Sequence, residues 1–69
     1  MVLVFKTSIE NLKQAGLIAT ALNSNAKIQR WNFDLEDIDN ILRIETEFEI
    51  ENEIIHMVRQ QNFYCEELC

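Results

Sequence analysis

The sequence predicts an α+β fold with the element order βαββαβ. Three observations carry that expectation. Apolar runs with strand periodicity alternate with segments whose apolar residues recur at helical spacing. A Thr-x-x-Glu pattern precedes each helical segment, at Thr7/Glu10 and at Thr46/Glu49. Two strand-like runs in the middle of the chain lie close enough to form a hairpin. This order is the split βαβ, or ferredoxin-like, arrangement. Right-handed crossovers then place both helices on one face of a four-stranded antiparallel sheet. Strands one and three are central, and strands two and four are the edges. The 69 residues make a single domain over 1–69, close to the smallest size that supports a core without metals or disulfides.

Each element has its own justification. "MVLVFK" is a continuous apolar run rich in β-branched residues, as in a central strand covered on both faces. With Lys6 pointing away from the helices, Leu3 and Phe5 point in, and Val2 and Val4 fall on the open face. Thr7 and Glu10 read as a capping box that starts the first helix. Leu12, Ala15, Ile18, Ala19 and Leu22 follow as its buried stripe. Gly16 costs about 1 kcal/mol relative to Ala inside a helix, which suggests a close helix contact. "NSN" at 23–25 ends the helix, because Asn tolerates the left-handed conformation.

"RWNFDLE" alternates Trp31, Phe33 and Leu35 with polar residues and reads as a half-buried strand. Ile28 is out of phase with that alternation and is expected to plug the core from the preceding loop. "EDIDN" is a polar turn, and "ILRIET" is the third strand, with Leu42 and Ile44 inward. Thr46 and Glu49 open the second helix by the same capping logic, and Ile50, Ile54, Met57, Val58 and Gln61 form its stripe. "NFYCEEL" is a short final strand with Asn62 as the turn residue before it.

Charge narrows the function classes. A net charge of −6 with scattered Lys and Arg argues against nucleic acid, and equally against an anionic membrane surface. No apolar run approaches the roughly 20 residues of a membrane span, and no secretory leader pattern opens the chain; a cytoplasmic location is the expectation. The two cysteines are Cys65 and Cys69. In an extended tail their Cα atoms lie roughly 13 Å apart at about 3.3 Å per residue, beyond the roughly 7 Å reach of a disulfide. Free thiols fit a reducing compartment. With one glycine there is no phosphate-cradling loop, and no nucleophile–histidine pair is set by spacing. A non-enzymatic role is expected.

Three stretches resemble a known family. "IATAL" at 18–22 is similar to an "I-x-x-A-L" first-helix pattern, "WNFDLE" to a second-strand "V-x-V-D-L", and "IIHMVRQQNFYCEEL" to a second helix followed by "G-Y" and a final strand. Together they resemble the heavy-metal-associated domains of copper chaperones and metal-transporting ATPases. The resemblance implies the ferredoxin-like fold over nearly the whole chain. It also implies a metal loop, "G-M-x-C-x-x-C", between the first strand and first helix. Counted back from Ile18, the glycine and methionine fall on Ser8 and Ile9, and the cysteines fall on Asn11 and Gln14. Two thiolates grip a soft cation; neutral carboxamides do not replace them. The resemblance therefore carries the fold and not the metal, and no cofactor is expected.

The candidate sites follow. Ser8, Glu10, Asn11 and Gln14 stand at a helix start, where free backbone N–H groups can meet an anion or a partner's side chain. Against this, capping alone accounts for such residues. Glu47, Glu49, Glu51 and Glu53 form a candidate acidic docking face for a basic protein, or simply a helix start favoured by its dipole. His56 has no cysteine or second histidine at i±3 or i±4 and is expected on the solvent side. The acidic "DLEDIDN" lacks the glycine and length of a calcium loop. The reading is a protein-interaction or regulatory module with a protein partner or a second copy of itself. The alternative is a heavy-metal protein using Cys65 and Cys69, with ligands shared across a dimer.

Overall fold

The structure is a computed structural model that describes residues 1–68. Its elements are β1 (Val2–Thr7), α1 (Leu12–Asn23), β2 (Ile28–Asp34), β3 (Ile41–Thr46), α2 (Glu51–Gln60) and β4 (Cys65–Glu67). The sheet order is β2-β3-β1-β4, and every neighbouring pair is antiparallel. The βαββαβ, ferredoxin-like expectation holds, with β1 and β3 central.

Both helices pack on one face because the strands alternate. Leu3, Phe5, Leu42 and Ile44 join Ala15, Ile18 and Leu22 of α1 and Ile54 and Val58 of α2 in one core, together with Ile9, Ile50 and Cys65. Phe5, Ile9, Ile18, Leu42, Ile44, Ile54 and Val58 are fully buried. Each such side chain contributes about 1.5–3 kcal/mol of apolar burial, which is how so short a chain closes a core. The opposite face carries Val2 and Val4 as expected, one exposed and one half-buried. Ile41 shares that face, paired with Lys6 and Asp34, yet it is buried. Among the described residues no helix is long and apolar enough to cross a membrane.

Several local expectations are corrected. Ile28 is the first residue of β2, not a plug from the loop. A bulge between Ile28 and Arg30 restores its phase, so Ile28 opposes Thr46 while Trp31 opposes Ile44; one extra residue in a strand shifts the side-chain alternation by one. Leu12 is 81 % exposed and lies outside the core. A Cβ on Gly16 meets nothing within 4 Å, so no close contact within the chain requires the glycine. Helix α1 ends without a left-handed residue. Ser24, at φ −84, caps it by donating its backbone N–H to the Thr20 carbonyl at 3.1 Å and its hydroxyl to the same carbonyl at 2.8 Å, while the Asn25 N–H donates to the Leu22 carbonyl at 3.3 Å. The left-handed residues are instead Asn62, the expected turn residue before β4, at φ 68, and Asn40 at φ 48.

Neither Thr-x-x-Glu pattern is a capping box. Helix α1 starts at Leu12 with Asn11 as N-cap, and α2 starts at Glu51 with Ile50 in that position and no side-chain cap. Thr7 and Thr46 are instead the buried last residues of β1 and β3.

Candidate functional site

The β1–α1 junction is where the family resemblance places its metal loop. Thr7 anchors its start: its hydroxyl donates to the Asn40 carbonyl at 2.7 Å and accepts the Ile9 N–H at 3.2 Å. The chain turns there, and Ile9 drops into the core. Ser8 faces β4. Its N–H donates to the Tyr64 carbonyl at 3.2 Å, and its hydroxyl accepts the Tyr64 N–H at 2.8 Å. Asn11 Oδ1 accepts the Gln14 N–H at 2.8 Å, which satisfies one of the orphan donors of the first turn. Gln14 Oε1 reaches back to the Glu10 N–H at 2.7 Å. Asn11 and Gln14 thus cap the helix start in sequence, Asn11 holding the Gln14 N–H and Gln14 holding the Glu10 N–H, one turn later than the Thr7/Glu10 box expected from the sequence.

Of the four candidate residues here, Asn11 and Gln14 touch each other, and Ser8 binds Tyr64, the residue just before β4. Glu10 engages only through its backbone, and its side chain is exposed. The carboxamides of Asn11 and Gln14 are hard, neutral oxygen donors already committed to N–H groups. They do not fit a soft cation.

The four glutamates do not form one helical face. Glu47 and Glu49 lie before α2, and Glu51 and Glu53 lie in its first turn. Glu53 is partly engaged: it accepts from Asn25 Nδ2 and stands 3.6 Å from Lys27 Nζ. Its carboxylate therefore ties α2 to the turn between α1 and β2. His56 is exposed on α2, as expected.

Cys65 is fully buried in the core at the start of β4. Burial pushes its thiol up to about 11; the Arg59 guanidinium lowers it somewhat, and the Glu66 carboxylate adds to the rise. Arg59 also donates to the Cys65 carbonyl at 3.1 Å. A buried, protonated thiol is a packing residue rather than a ligand. Cys69 lies outside the described residues. Among the described residues no three His, Cys, Asp or Glu side chains are grouped to hold a metal ion.

One feature escaped the sequence reading. A shallow groove of about 390 Å³ runs between α1 and the edge strand β2, lined by Leu12, Ala15, Gly16, Ala19, Trp31, Asn32 and Phe33. Trp31 and Phe33 pack edge to face with centroids 5.9 Å apart. The Trp31 indole N–H donates to Asn23 Oδ1 at 2.8 Å, fixing the ring on the end of α1. The small residues of the Ala15–Gly16–Ala19 strip were the available signal, set against an aromatic edge strand.

No known protein family matches the sequence, and no curated protein is recognisably similar to it. Solved structures are similar in shape. The yeast copper transporter domain Ccc2A, determined in solution in apo and Cu(I)-loaded states, superposes with a TM-score of 0.82 at 16 % identity, over 99 % of this chain and 94 % of that one. The N-terminal domain of PacS from Synechocystis PCC6803 superposes with a TM-score of 0.80 at 8 % identity, over 100 % of this chain and 98 % of that one. At these identities the likeness is one of fold: the chain has the ferredoxin-like architecture of these two domains.

Proposed function

We propose that this domain is a non-enzymatic protein-interaction module built on the fold of a metal-carrying domain, with the metal site lost. The observation that carries this reading is the bonding of the β1–α1 junction. Asn11 and Gln14 occupy the positions that the family resemblance gives to cysteines, and their side-chain oxygens accept the backbone N–H groups of Gln14 and Glu10. Cys65, the thiol of the alternative reading, is buried in the core, which supports a structural role for it. What remains for function is surface: the apolar groove beside β2 and the acidic approach to α2.

Titration of the reduced protein with Cu(I) against a coloured chelator tests the reading. The wild type is expected to withdraw no copper from a micromolar-affinity chelator. An Asn11→Cys, Gln14→Cys variant is expected to withdraw one equivalent, because the junction already has the right spacing. Stoichiometric binding by the wild type that disappears in a Cys65→Ser, Cys69→Ser variant establishes the metal-handling alternative instead.

A further inference from the structure

The two edges of the sheet differ in what they present to another strand. Edge β4 is three residues long and reads Cys-Glu-Glu. Paired antiparallel with its own copy about Glu66, it sets like charges opposite each other. Edge β2 is seven residues long, and its last five residues read Arg30-Trp31-Asn32-Phe33-Asp34. An antiparallel pair centred on Asn32 sets Arg30 opposite Asp34 of the second copy, Trp31 opposite Phe33, and Asn32 opposite Asn32. Every pair is complementary, and the charged pair occurs twice.

The backbone fits the same register. The Thr46 N–H donates to the Met1 carbonyl, so Thr46, Ile44 and Leu42 direct their amides to β1. By alternation, Arg43 exchanges hydrogen bonds with Asn32 on β2. The N–H and C=O groups of Trp31 and Phe33 therefore point outward from the edge. In the pair centred on Asn32 these groups meet each other. Arg30 and Asp34 then fall at non-hydrogen-bonded positions, where opposing side chains approach most closely. Asp34 already stands 3.6 Å from Arg43 on the open face, so an incoming Arg30 completes an Arg–Asp–Arg row. Arg30 has no ion pair of its own among the described residues. On the helix face, the Trp31–Phe33 pair of each copy lines the groove that the small residues Ala15, Gly16 and Ala19 leave open.

From this self-complementarity we infer that the groove and the β2 edge bind a second copy of the chain, joining two four-stranded sheets about a two-fold axis at Asn32. The inference rests on the reading of the domain as an interaction module and names its partner.

Sedimentation equilibrium at low salt tests it, with three samples folded by far-UV circular dichroism. The wild type is expected at twice the chain mass of 8.2 kDa. Arg30→Glu and Asp34→Arg each set like charges opposite one another at both ends of the pair and are expected to weaken self-association at least about tenfold. An equimolar mixture of the two variants restores both opposite-charge pairs and is expected to sediment as a dimer. A second readout needs no variant: on dilution of the wild type, the emission of Trp31, the only tryptophan, shifts to the red as the indole gains water. A monomeric wild type at hundreds of micromolar overturns the inference, as does a dimer indifferent to both substitutions or a mixture that stays monomeric. Copper binding by the wild type would instead overturn the metal-free reading and leave the dimer standing, so the two failures are distinguishable.

Discussion

The two strand-to-helix junctions of this domain are built alike up to a point and then diverge. Thr7 and Thr46 each end a central strand, and each stands five positions before its helix starts, at Leu12 and Glu51. Each hydroxyl accepts an N–H two residues on, from Ile9 and Phe48. Each donates to a carbonyl far along the chain, of Asn40 at 2.7 Å and Lys27 at 2.6 Å. After that the junctions part. The first ends in a polar cap, with Asn11 accepting the Gln14 N–H and Gln14 accepting the Glu10 N–H. The second ends in Ile50, which makes no side-chain cap and is buried in the core. One helix is started by hydrogen bonds and the other by apolar burial.

The contrast is sharpest at the equivalent positions Asn11 and Ile50. Ile50→Ala is expected to cost about 3 kcal/mol, because it removes buried atoms and leaves a void. Asn11→Ala is expected to cost about 1 kcal/mol, the usual value for an exposed N-cap. Urea denaturation of both variants measures the difference. Equal losses would show that the two helix starts are energetically the same device despite their different chemistry.

The shared part is tested by Thr7→Val and Thr46→Val. Valine keeps the shape and orphans one donor and one acceptor at each site, so each variant is expected to lose about 2 kcal/mol. The two sites lie at opposite ends of the central strand pair: Thr46 sits against Met1, and Thr7 against Asp39 and Asn40. The losses should therefore add in the double variant. A Thr7→Val loss well below that of Thr46→Val would break the equivalence.

These threonines also mark what the sequence does and does not disclose. The strand order, the inward residues of β1 and β3, and the bounds of β3 follow from alternation and from the crossover rule, which depend only on local pattern and handedness. The helix starts do not. Thr-x-x-Glu fits a capping box, but it equally fits a strand end whose threonine turns sideways, and the choice is made by Asn40 and Lys27, residues far away in sequence. Ile28 is misplaced for a related reason, since a bulge resets a period that the eye extrapolates. The candidate loop was legible as a place: Ser8, Glu10, Asn11 and Gln14 do share one junction. Their bonding was not, because it depends on α1 beginning at Leu12 rather than near Ser8. The groove left only a faint signal, the small residues Ala15, Gly16 and Ala19, because its two walls, α1 and β2, are brought together by the fold.

The smallest expected difference lies one step further into each helix, at Gln14 and Glu53. Gln14 turns back on its own helix start. Glu53 reaches outward to Asn25 and Lys27, bridging α2 to the turn between α1 and β2. The pair with Lys27 is about half exposed on both sides, at 52 % and 48 %, so water screens most of its attraction. Glu53→Gln keeps an oxygen for Asn25 and loses only the charge. The expected loss is about 0.5 kcal/mol or less in low salt, and it should vanish in 1 M salt, where screening acts within about 3 Å. Urea midpoints of the wild type and the variant, each in low and high salt, measure it. A loss near that of Ile50→Ala, or one that persists in high salt, would mean that this bridge, and not the buried Ile50, holds the start of α2.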